Sequence, residues 1–73
     1  MEKEEIIKRI AENIRLQRYR KNITQEELAE KAEISTKYMN LIENRKANPS
    51  ITVLVRLCEI LDLEFSKLLK SND

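Results

Sequence analysis

Residues 24–50 read T-Q-E-E-L-A-E-K-A-E-I-S-T-K-Y-M-N-L-I-E-N-R-K-A-N-P-S, and the fold is decided in this stretch. Thr24-Gln25-Glu26-Glu27 is a capping box. The Thr hydroxyl accepts a backbone N–H three residues on, and Glu27 reaches back to the N–H of Thr24. Glu26 and Glu27 also complement the positive end of the helix dipole. Leu28, Ala29 and Ala32 form the apolar side of this helix. Ile34 follows a tight connection, and Ser35 is an N-cap for a further helix through Asn44. In that helix Tyr38, Met39 and Ile42 face inward, leaving Thr36, Lys37, Asn40, Leu41 and Asn44 pointing broadly outward. The pattern describes two short helices joined by a tight turn, the second exposing polar side chains.

On the N-terminal side, Ile6, Ile10 and Ile14 recur at spacing four, and Ile7 and Ala11 widen the stripe. A helix from about Lys3 to Lys21 is predicted, with Asn22 as its stop, because Asn tolerates the left-handed conformation. On the C-terminal side, the polar run from Asn44 to Pro49 reads as a loop. Ser50 caps a helix to about Leu61 carrying Leu54, Leu57, Cys58 and Leu61. Asp62-Leu63-Glu64 makes a turn, and a short last helix holds Phe65, Leu68 and Leu69. The expectation is one all-α domain of five helices over residues 1–73, with a helix-turn-helix unit at 25–44.

Composition narrows the function. The chain of 73 residues has no Gly, no His, no Trp, one Pro and one Cys. Phosphate-cradling Gly loops are therefore absent, as are metal sites of the usual Cys/His kind. Cys58 would lack the customary base of a cysteine nucleophile and reads as a small core residue. No enzymatic function, cofactor or metal is expected. The longest apolar runs fall far short of the ~20 residues that cross a bilayer. Met1-Glu2-Lys3-Glu4-Glu5 has no signal-peptide character, so a soluble cytoplasmic protein is expected. Net charge is only +1, but basic blocks at 1–21 and 35–50 flank an acidic one at 22–34. The acidic block has the local capping role already described.

The stretch from Thr24 to Ser50 resembles the lambda-repressor-like (Cro/repressor, XRE-type) helix-turn-helix family. The likeness extends over roughly Ile10 to Leu69. Gln25, Leu28, the small Ala29, Ala32, Ile34, Met39 and Ile42 stand in that family's register, and Asn48-Pro49-Ser50 fits as well. The resemblance implies a five-helix bundle whose third helix enters the major groove with its N-terminal end toward the bases. By position, Ser35, Thr36, Lys37, Asn40 and Leu41 are implied in base readout. Gln25, Asn44, Arg45 and Lys46 are implied in phosphate contacts. The chemistry suits these places: Lys donates to guanine O6/N7, Asn pairs bidentately with adenine, and a Thr methyl touches thymine. Arg18 and Glu43 match a largely buried structural ion pair of the family.

Some positions depart from the family pattern. Glycine is usual where this chain has Asn22, Glu33, Arg45 and Asp62. Asn and Asp visit positive φ at modest cost, but Glu33 does not. Leu16 and Gln17 look exchanged relative to the common apolar pattern, Glu64 replaces a Ser cap, and Leu41 occupies a site more often polar. Val55, Ile60, Phe65 and Leu69 add more apolar surface than one small bundle easily covers, and are expected at a homodimer interface. Small stand-alone regulators such as phage Cro-type repressors and restriction–modification controller proteins are similar in length. A regulator of transcription is the reading this supports, bound to double-stranded DNA at a pseudo-palindromic operator. The alternative is a protein-interaction module on the same fold, gripping a partner through the third helix with Leu41 and Tyr38.

Overall fold

A computed structural model describes all 73 residues. Four α-helices follow one another: α1 Lys3–Arg20, α2 Gln25–Lys31, α3 Thr36–Glu43 and α4 Ile51–Leu61. A single 3-10 turn, Phe65–Lys67, comes after them. There is no strand, and no helix is long and apolar enough to cross a membrane.

Helices of seven and eight residues are marginal by themselves, so α2 and α3 depend on their ends and on packing. Both N-termini are capped. Thr24 Oγ1 accepts from the Glu27 N–H at 3.0 Å while Glu27 Oε1 accepts from the Thr24 N–H at 3.0 Å, closing the capping box. Ser35 Oγ accepts from the Tyr38 N–H at 3.0 Å, and Ser50 Oγ caps α4 through the Val53 N–H at 3.2 Å.

The C-termini share one device. After α1, α2, α3 and α4 the chain passes through positive φ at Asn22 (55°), Glu33 (60°), Arg45 (63°) and Asp62 (52°). In each case the N–H of the next residue bonds a carbonyl five residues back: Ile23 to Arg18, Ile34 to Ala29, Lys46 to Leu41 and Leu63 to Cys58. This 6→1 bond defines the Schellman motif, which satisfies carbonyls the helix leaves over. The turn normally uses Gly, and this protein makes it four times without one. Ile23, Ile34 and Leu63 then fold back against the core, so the reversal is fixed by apolar burial as well.

The five-helix expectation needs correction. The last element is one 3-10 turn; Glu64 at its N-cap makes no side-chain cap bond, and the carbonyls that follow are taken by side chains of α1. The backbone bonds there are of the i→i−3 kind, Lys67 to Glu64 and Leu68 to Phe65. Polar side chains of α1 hold the segment beyond it. Asn13 Nδ2 donates to the carbonyls of Leu68 (2.7 Å) and Lys70 (2.9 Å), and Arg9 Nη1 donates to that of Leu69 (3.0 Å).

One core unites the elements. Ile14, Leu28, Ala32, Met39, Leu57 and Leu61 have no exposed surface, and Ile42, Cys58 and Leu68 close around them. Ala29 of α2 is buried in the same core. Gln17 is explained by α4: its Nε2 donates to the Leu61 carbonyl at 2.8 Å, so a polar residue serves where an apolar one is usual. Burial pushes the Cys58 thiol up from its ordinary value, which makes it less reactive.

Candidate nucleic-acid interface

Met39 and Ile42 are buried and Tyr38 packs against the core, so α3 is anchored along one side. The opposite side carries Thr36, Lys37 and Asn40, all exposed, with Asn44 at the C-cap. Ser35 is exposed at the mouth of the helix, but its hydroxyl is already an acceptor for the cap bond. Leu41 is half-buried without being part of the core cluster.

The side chains implied in DNA contact are joined to one another. Asn44 Nδ2 donates to Asn40 Oδ1 at 3.0 Å, Asn40 Nδ2 donates to Gln25 Oε1 at 3.2 Å, and Gln25 Nε2 donates to Glu43 Oε1 at 3.3 Å. The N-terminus of α2, the outer side of α3 and the start of the α3–α4 loop therefore form one polar surface. Lys46 and Arg45 extend it. Lys46 is exposed, whereas Arg45 Nη2 meets Glu12 Oε2 of α1 at 3.2 Å and is held back toward that helix.

Beneath this surface lies the ion pair. Arg18 Nε and Nη2 donate to the two oxygens of Glu43 at 2.8 and 2.9 Å, and Arg18 Nη1 donates to the Ile23 carbonyl at 2.9 Å. The Glu43 side chain is 1% exposed and that of Arg18 10%. Hydrogen bonding to Glu43 raises the Arg18 pKa above the ordinary arginine value, outweighing the effect of burial. The bidentate geometry ties α1 to α3 and fixes how the exposed side of α3 is presented.

Sequence reasoning missed a second guanidinium. Arg15 Nε lies 3.6 Å from Glu43 Oε1, and Arg15 Nη2 donates to the Glu43 main-chain carbonyl at 2.5 Å. Two arginines thus face one carboxylate, leaving positive charge beside the α3–α4 loop. The signal was available, since Arg15 and Arg18 are three apart on α1 and lie on one side of a helix. Val55, Phe65 and Leu69 are exposed at 41–45%. Phe65 borders two shallow depressions, one shared with Val55 and one with Leu69 and Ile6. Ile60, expected among them, instead packs partly against the core.

A short capped helix, a left-handed turn and a second helix with an exposed polar side define a helix-turn-helix domain. The helix-turn-helix family model HTH_3 matches residues 14–68. The chain belongs to this family of XRE-type regulators. Its fold is similar to that of the clp gene regulator ClgR from Corynebacterium glutamicum, with a TM-score of 0.83 at 25% identity, covering 88% of this chain and 68% of that one. No curated protein matches the sequence.

Proposed function

We propose that this protein is a sequence-specific transcriptional regulator, without enzymatic activity, that binds a pseudo-palindromic operator as a homodimer in the cytoplasm. The exposed turn of α3 carries the reading: Thr36, Lys37 and Asn40 project from a helix whose other side is locked in the core. Those side chains reach base edges while Gln25, Asn44, Arg45 and Lys46 contact phosphates on either side. The likeness to a gene regulator supports the same role.

Size argues for a dimer. One protomer measures 31 × 21 × 19 Å and serves a single stretch of major groove. Successive grooves lie about 34 Å apart, so two recognition helices need two protomers. The strip Val55, Phe65 and Leu69 is the face for the second copy. Phe65→Glu then yields a folded monomer with poor operator affinity, which sedimentation and a binding titration measure together.

Selection from a random DNA pool, followed by titration at several salt concentrations, tests the reading. A dimer neutralising ~6–10 phosphates loses about 10³–10⁵ in affinity between 50 and 200 mM salt. Lys46→Ala weakens all sequences alike, whereas Lys37→Ala also relaxes base preference. Absence of salt-dependent binding to any DNA removes the proposal. Half-buried Leu41, an apolar residue on α3 outside the core cluster, favours one rival: an interaction module that grips a protein through α3. That rival gains if Leu41→Ala abolishes a protein complex and leaves DNA affinity intact.

A further inference from the structure

The side-chain series from Glu43 to Asn44 has a direction. A primary amide can face either way, presenting oxygen or nitrogen to a neighbour. An ionised carboxylate accepts only. With Glu43 paired to Arg18, the Gln25 amide must turn its nitrogen toward Glu43, which leaves its oxygen toward Asn40. Asn40 must then give its nitrogen to Gln25 and its oxygen to Asn44. A single buried charge thereby sets the polarity of three amides in a row, the last two on the exposed surface.

We propose that Gln25 is a specificity-determining positioning residue, which passes the polarity of Glu43 to the Asn40 amide and so sets which base edge Asn40 reads. The proposal rests on α3 being the DNA-reading helix. Bidentate recognition of adenine needs one N–H aimed at N7 and one oxygen lone pair aimed at N6. Asn40 keeps one N–H and one lone pair free after its two internal bonds, in a fixed arrangement. Reversal of the amide would exchange donor and acceptor and favour a different partner. The two outer bonds join exposed groups that water would otherwise serve, so their value lies in orientation. Holding the amide ready removes an ordering cost at binding.

Gln25→Met keeps the length of the side chain and removes both amide groups. Two measurements on the full chain test it. In the ¹⁵N-labelled protein without DNA, the side-chain NH₂ resonances of Asn40 and Asn44 shift in Gln25→Met; unchanged resonances overturn the relay. In affinity measurements over a site library, Asn40→Ala first identifies the base position concerned, where a good bidentate contact gives about 5- to 150-fold discrimination. Gln25→Met then lowers discrimination at that position at least about threefold, leaves positions read by Thr36 and Lys37 unchanged, and has no such effect in an Asn40→Ala background. An equal loss for all sequences with a smaller salt slope makes Gln25 a phosphate contact only and overturns the proposal. If wild type shows no base preference, the DNA-reading role itself fails, and the resonances show whether the relay exists apart from it. Gln25→Ala must reproduce both results, which covers a folding defect peculiar to Met.

Discussion

Removing the charge of Glu43 is expected to take away a large share of the stability of this domain. Glu43→Gln keeps the volume of the side chain, so no cavity contributes to the effect. The Arg18 guanidinium stays in place with its side chain 10% exposed, bonded to the Ile23 carbonyl but facing a neutral amide. It cannot escape by losing its proton, because arginine stays protonated throughout the accessible pH range. Breaking a buried pair from one side costs about 3–5 kcal/mol. For a chain of this length the whole folding free energy is of order 4–11 kcal/mol. With an unfolding entropy of roughly 0.15 kcal/mol/K, the melting temperature should fall by about 20–33 °C. Circular dichroism melts of Glu43→Gln, Arg18→Met and the double variant Arg18→Met/Glu43→Leu form the test. The double variant buries no unpaired guanidinium at position 18 and should recover at least about half of the loss. A Glu43→Gln cost below about 1 kcal/mol, or a double variant no more stable than the single one, would refute the reasoning.

Further outcomes follow from single positions. Glu33 stands at φ 60°, where a residue with a Cβ carries about 1–2 kcal/mol of strain, so Glu33→Gly should raise the melting temperature; a fall would show that the turn gains more from Glu33 than its backbone costs. Leu41→Ala should cost on the order of 1 kcal/mol on the best DNA site through lost apolar burial against a thymine methyl. Replacing that thymine by uracil should then weaken wild type and leave the Leu41→Ala protein unaffected, as titration of the paired sites will show. The capping box holds the Glu27 carboxyl below its ordinary value of 4.5, chiefly through the Thr24 backbone N–H. A depressed acid contributes stability that is full above its unfolded pKa and is lost as pH falls through the folded value. Melts between about pH 5 and 2 should therefore show less acid sensitivity in Glu27→Gln than in wild type.

Much of this protein could be read without coordinates. The capping box at Thr24, the caps at Ser35 and Ser50 and the apolar spacing of Ile10, Ile14, Leu54, Leu57 and Leu61 are local signals, and the helices form where those signals stand. Asn22 marks one left-handed turn by its residue type, but those at Glu33 and Arg45 are legible only through family likeness, because no Gly marks them. The last helix departs from its local signal. Its apolar residues suit a helix, but Glu64 makes no cap and the following carbonyls are claimed by Arg9 and Asn13, which are more than fifty residues away in the chain.

At the candidate interface, sequence determined which residue types lie on α3 and which side of it is apolar, since helical periodicity assigns both. Tertiary structure decided how those residues are held. Arg45 is drawn toward Glu12, Arg15 joins Arg18 on one carboxylate, and Gln25 stands between Glu43 and Asn40. Each of these contacts joins elements distant in the chain, and a polar side chain's rotamer depends on whichever partner lies within about 3 Å. Periodicity places Arg15 on the same side of α1 as Arg18, but it does not name the partner that either side chain meets. That partner emerges only once the core has closed and fixed α1, α2 and α3 against one another.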